Sequence, residues 1–193
     1  FNLHRGCLAL ADRPADRAAG DIAETADFVL VLEGVADADN VGSAFRNAAA
    51  FGVGCVLLSP TTCDPLYRKA IRTSMGSVLE IPFARLDNWP ADLGMLKAKG
   101  FTLIALTSKD LAIDLPSCAK RQPRQRMAVL AGNEGNGLTA SAEAMADVSV
   151  RVPIRPAVDS LNLATATGIA LYYFANHPQS PIPNPQSLAP VIP

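Results

Sequence analysis

The sequence predicts an α/β fold, a parallel sheet with helices on both faces, and three observations carry that prediction. From residue 28 onward, short apolar runs alternate with longer helix-like segments, the rhythm of strands joined by crossover helices. Several runs are apolar at every position instead of every second one, as strands buried on both faces require. Polar and glycine-rich clusters follow the runs, and an open parallel sheet keeps its ligand crevice at those strand ends.

Taken in order, residues 1–27 read as an extended entry segment, because Asp12 to Gly20 is polar, contains a proline and has no firm period. Strands are expected at Phe28–Glu33, Gly54–Ser59, Phe101–Thr107, Met127–Ala131 and Val148–Pro153, all short and rich in β-branched or apolar residues. Val41–Phe51 reads as a helix entered through Asp39 or Asn40 and left through Gly52. Asp64–Met75 offers Asp64 as cap with Pro65 at the first helical position. Pro90–Lys99 is a helix closed by Gly100, and Ser160–Phe174 is an alanine-rich final helix. Residues 177–193 hold six prolines and no periodic segment, which reads as a tail outside the 28–176 domain.

A chain of 193 residues with 49% hydrophobic and 18% charged residues suits one globular domain. Its apolar runs are a few residues long, as in Phe28–Leu32, against the roughly 20 a membrane helix needs. Beginning at Phe1 without a signal pattern, the chain is expected to be a piece of a longer protein. Cys7, Cys55, Cys63 and Cys118 are scattered, and His4 and His177 lie at opposite ends. That spacing argues against a metal site and for free thiols in a reducing compartment, hence a cytoplasmic protein. A net charge of −1 and a pI near 6.1 argue against binding nucleic acid by bulk electrostatics. Basic residues do cluster locally, Arg68, Lys69 and Arg72 in one group and Lys120, Arg121, Arg124 and Arg126 in another.

Three segments carry candidate chemistry. In the first, Asn40 to Arg46 follows a strand and an aspartate-rich loop, so Asn40 faces the crevice. Gly42 permits close approach of backbone or ligand, and Arg46 stands among small alanines with room to reach a phosphate or carboxylate. Next, Gly132 to Gly137 packs three glycines into six residues after a buried strand, with Glu134 inside the turn. The glycine order is not that of a dinucleotide fingerprint, and a carboxylate there would repel phosphate but orient an arginine or an amide. In the third, Val152 to Asn162 leaves the last strand and enters the final helix. Ser160 and Asn162 then lie near a helix N-terminus, where capping by Asp159 or Ser160 is the simple reading but leaves Asn162 unexplained.

Together these segments resemble the SpoU (TrmH-like) branch of the SPOUT, or α/β-knot, RNA methyltransferases: Asn-x-Gly-x-x-x-Arg, a Gly-x-Glu-Gly-x-Gly loop, and a Pro-x-x-x-x-x-Ser-Leu-Asn segment entering the last helix. The likeness covers roughly residues 28–175. It implies the SPOUT methyltransferase fold with a C-terminal trefoil knot, S-adenosyl-L-methionine as cofactor, transfer to a ribose 2'-hydroxyl of tRNA or rRNA, and a homodimer. The matching cofactor positions are Leu106, Thr107, Gly132, Val152, Ile154 and Leu161. The matching catalytic positions are Asn40, Arg46, Glu134, Ser160 and Asn162. Arg46 would serve either as proton acceptor or, since a guanidinium is almost never neutral, as an electrostatic stabiliser. Residues His4 to Ala11 resemble the linker that follows a separate RNA-binding domain. Competing readings are a non-catalytic knotted RNA-binding or assembly factor, and a knotted methyltransferase acting on a base nitrogen.

Overall fold

The computed structural model describes residues 10–121, 126–155 and 157–176. The expectations for residues 1–9, for the basic group around Arg124 and for the proline-rich tail from His177 onward lie outside the described residues. Among the described residues, seven strands form one sheet: β1 (Phe28–Glu33), β2 (Cys55–Leu58), β3 (Phe83–Arg85), β4 (Thr102–Leu106), β5 (Ile113–Asp114), β6 (Met127–Gly132) and β7 (Val148–Arg151). Their spatial order is β3-β2-β1-β6-β4-β7-β5, and every pairing is parallel.

Helices α1 (Ala19–Glu24), α2 (Ala38–Ala50), α3 (Arg68–Thr73), α4 (Leu93–Ala98), α5 (Leu115–Arg121), α6 (Ala140–Met145) and α7 (Leu163–Ala175) cover both faces. Alternate strand residues feed two cores, as a pleated strand dictates. Leu30, Leu32, Val56, Leu58, Ile104 and Val129 pack with Phe45 of α2 and Leu171 and Phe174 of α7. Val29, Val31, Leu57, Leu103 and Leu130 pack on the opposite face with Ile22 of α1 and Leu93 and Leu96 of α4. Both sides of the sheet are therefore dry.

The five expected strands are present: the first at its expected bounds, that at Met127 one residue longer, and the other three one or two residues shorter at one or both ends. Strands β3 and β5 and helices α1, α5 and α6 were not expected, because segments of two to seven residues are too short to show a period. Helix α1 corrects the extended reading of residues 1–27: Ile22 and Ala23 are buried, so two apolar residues on a one-and-a-half-turn helix anchor that segment.

Helix α2 starts three residues before its expected position. Asp37 caps it by accepting from the Asp39 amide at 3.0 Å, which leaves Asn40 inside the first turn with its side chain free for other partners. The Asp64 segment forms a turn in which its carboxylate accepts from Leu66 N at 2.9 Å, and α3 begins only at Arg68. Likewise α7 begins at Leu163, with Asn162 as its cap in place of Asp159 or Ser160.

Gly42 is required by backbone and not by a ligand. A Cβ there would lie 2.5 Å from the Ala70 carbonyl oxygen and 2.9 Å from Thr73 Cβ, so α2 and α3 cross in direct contact. Asp39 pins the crossing by accepting from Thr73 Oγ1 at 2.8 Å and pairing with Lys69 at 2.8 Å. Lys69 and then Thr73 hold its carboxyl below the ordinary carboxylate range.

Gly42→Ala should cost about 2 kcal/mol, or roughly 4–8 °C in Tm for a chain of this size. Gly94→Ala in α4, where an added Cβ meets nothing within 4 Å, should instead raise Tm slightly. Thermal denaturation followed by circular dichroism checks both signs.

Candidate active site

The carboxyl ends of β1, β6 and β7 deliver the three candidate segments to one edge of the sheet. Gly132 ends β6 and opens a loop that doubles back on itself: a Cβ on Gly132 would lie 2.0 Å from the Gly137 carbonyl carbon. No side chain fits there. Asn133 braces the turn from within, its Oδ1 accepting from Gly135 N at 3.0 Å and Asn136 N at 2.8 Å. The Gly137 amide closes the loop on the Asn133 carbonyl at 2.9 Å, and Gly137 takes a φ of +67°, a region that favours glycine.

At the tip of this braced loop, the Glu134 carboxylate meets two amides. Asn40 Nδ2 donates to Glu134 Oε1. Asn162 Nδ2 donates to the same oxygen at 3.0 Å and to Asn40 Oδ1 at 3.1 Å. The other end of Asn162 caps α7, Oδ1 accepting from Ala164 N at 2.9 Å and Thr165 N at 3.3 Å. This settles why an asparagine stands between two leucines: it must accept on one side and donate on the other. An aspartate or serine can cap, but neither offers an amide donor.

Asn40 is buried while Glu134 and Asn162 are exposed, so the cluster has a fixed floor and an open rim. Ser160 is exposed and lines the adjoining cavity without joining the cluster. Arg46 is not brought into it. It is exposed on α2, six positions past Asn40 and so turned away from it along the helix.

All six expected cofactor positions, Leu106, Thr107, Gly132, Val152, Ile154 and Leu161, line one cavity of about 870 Å³, as does Glu134. Three ion pairs at its rim were not expected from the sequence. Lys109 pairs with Glu143, and Arg151 pairs with Asp110 at 3.0 Å and Asp114 at 2.8 Å. Their partners are up to 41 residues apart, counting Asp110 to Arg151, and no local pattern announces them. Among the described residues no group of histidine, cysteine, aspartate or glutamate is placed to hold a metal ion.

The sheet order, the loop and the amide cluster agree with one family, and its model, the SpoU rRNA Methylase family, matches residues 27–172. The chain belongs to that SpoU family. It is 45% identical over 172 residues to an uncharacterised tRNA/rRNA methyltransferase of Mycobacterium tuberculosis, covering 89% of this chain and 60% of the relative. It is 32% identical over 151 residues to the 23S rRNA (guanosine(2553)-2'-O)-methyltransferase RlmP of Bacillus subtilis, covering 77% of this chain and 58% of that protein. The chain therefore spans about 60% of the length of such SpoU relatives. A solved structure of an AdoMet-bound rRNA methyltransferase from Sinorhizobium meliloti superimposes with a TM-score of 0.76 at 30% identity, covering 84% of this chain and 61% of that one.

Two substitutions separate the two ends of Asn162. Asn162→Ala loses cap and donor and should cost about 1 kcal/mol or more. Asn162→Asp keeps the cap but sets a carboxylate against Glu134, raising the pKa of one of the pair above its unfolded value. Such a group binds protons more tightly in the folded state, so the stability deficit of Asn162→Asp should shrink as pH falls. Melting temperatures at pH 5 and pH 8 read this out, and a deficit equal at both would contradict the contact.

Proposed function

We propose that this chain, with residues 28–176 as its catalytic domain, is an RNA methyltransferase that moves the methyl group of S-adenosylmethionine to a ribose 2'-hydroxyl of tRNA or rRNA. The observation that carries the reading is the Asn40–Glu134–Asn162 cluster at the rim of the cavity that collects all six cofactor positions. Membership of the SpoU family and the names of the relatives support the same reaction.

The residues present fit the cofactor. A cavity of about 870 Å³ is of the size that takes a nucleoside-bearing ligand. Leu106, Val152, Ile154 and Leu161 offer apolar walls for an adenine ring, and main-chain groups at Thr107 and Gly132 stand at the strand ends to read its edge. When bound, S-adenosylmethionine supplies a sulfonium methyl whose departing thioether needs no proton. The protein's task is therefore to align a weakly acidic hydroxyl and to stabilise the charge that develops on it. Glu134 holds the two amides, Asn162 and Ser160 position the ribose, and Arg46 acts on the developing alkoxide and the neighbouring phosphate. A guanidinium is almost never neutral, which suits that electrostatic role better than proton acceptance.

The exposed position of Arg46 supports a site completed by a second copy of the chain. A homodimer is supported also by an aromatic surface where α2 meets α7: Phe51 and Tyr172 stack edge to face at 5.9 Å, Tyr172 and Tyr173 at 6.0 Å, and Tyr172 is 53% exposed. The insertion of β6 between β1 and β4, with β7 beyond β4, supports the C-terminal knot. Thiols rather than disulfides at Cys55 and Cys63 support a cytoplasmic location.

Titration calorimetry with S-adenosylmethionine and transfer of labelled methyl to undermethylated RNA test the proposal, the product nucleosides being separated. The expected product is a 2'-O-methylnucleoside; a base-methylated product, or no cofactor binding, would overturn it. Arg46→Ala should lower transfer on the order of 100-fold or more and leave cofactor affinity within about twofold, a difference below 0.5 kcal/mol. Retained turnover would remove Arg46 from the mechanism.

A further inference from the structure

Glu33 is the one charged residue of β1 and ends that strand 5% exposed. Three donors converge on its carboxylate. Oε1 accepts from the Trp89 indole Nε1 and from Thr139 Oγ1 at 2.7 Å, and Oε2 accepts from the Thr139 backbone amide at 2.9 Å. Buried carboxylates are kept where such donors offset their lost hydration.

The two ends of the glycine loop both lie on this residue. The backbone of Glu33 is the register partner of Gly132, where the loop leaves β6. Its side chain grips Thr139, where the loop enters α6 and whose own hydroxyl caps that helix through Ala142 N at 3.3 Å. Between those points the loop carries Gly132 on the cavity wall and Glu134 in the amide cluster. Loop geometry and Glu134 position thus share one support.

We propose that Glu33 is a positioning residue: its carboxylate clamps the stem of the glycine loop and so sets both the cofactor wall and Glu134. The functional part rests on the methyltransferase reading above; the clamp itself does not. Glutamine at this position keeps the shape but turns an NH₂ toward the Thr139 amide, donor against donor, so one bond of the clamp is lost and a buried donor stays unpaired.

Glu33→Gln in the full chain should speed amide hydrogen exchange across residues 132–139 about tenfold and shift the emission of Trp89, the chain's single tryptophan. It should also weaken S-adenosylmethionine about tenfold in titration calorimetry, measured well below the melting point. Should Glu33→Gln not fold, Thr139→Val removes the hydroxyl arm together with the α6 cap and should move exchange and affinity the same way, with Thr139→Ser restoring both. A lowered Tm with unchanged loop exchange would overturn the clamp and leave Glu33 a purely structural residue. Faster exchange with cofactor affinity within twofold of wild type would overturn its role in the site. If wild type binds no S-adenosylmethionine, the methyltransferase reading fails, and the exchange data still decide the clamp.

Discussion

Residues 40, 134 and 162 meet through hydrogen bonds across separations of 94 and 122 positions, and the site depends on that meeting. Nothing local holds them together. They converge because every strand pairing is parallel, so the carboxyl ends of β1, β6 and β7 face the same way and each strand hands its following loop to one edge. An open parallel sheet binds ligands at such an edge, where the strand order departs from the sequence order. Here β6 enters between β1 and β4, and the glycine loop lands beside the start of α2.

The polar edge is rigid because its support is layered. Asn133 braces the loop from inside, Glu33 grips its exit, and Gly42 with Asp39 locks α2 against α3 so that Asn40 starts from a fixed helix. Asn162 ties the last helix to the same group while capping it. Preorganisation of this kind matters for a reaction in which alignment and charge stabilisation are the enzyme's main contributions. The edge around Glu134 is built from two amides and one carboxylate, so the near-neutral charge of the chain does not conflict with the proposed RNA substrate.

Much of this was legible in the sequence, for identifiable reasons. Runs such as Phe28–Leu32 and Ala128–Ala131 are apolar throughout because helices cover both faces, and that marks buried strands without ambiguity. The six positions expected to hold the cofactor and the Asn40, Glu134 and Asn162 group followed from motif resemblance, and the structure brings each set together. What was not legible is what depends on distant partners. The α2 cap was expected at Asp39 or Asn40 and falls on Asp37, because nearby aspartates and asparagines are equally good candidates until one is seen accepting a bond. Strand β5, two residues long, exists only through its pairing with β7. Glu33 looked like the polar end of a strand, and its partners lie 56 and 106 residues away. Arg46 was expected within the cluster, and the helix instead turns it outward into an exposed position.

The central claim is methyl transfer to ribose, and a transcriptome-wide map of 2'-O-methyl marks, compared between cells with and without the gene, tests it most directly. The account predicts that at least one 2'-O-methylated position in tRNA or rRNA disappears with the gene and returns when the gene is restored. An unchanged ribose-methylation map, or the loss of a base-methyl mark in its place, would contradict it.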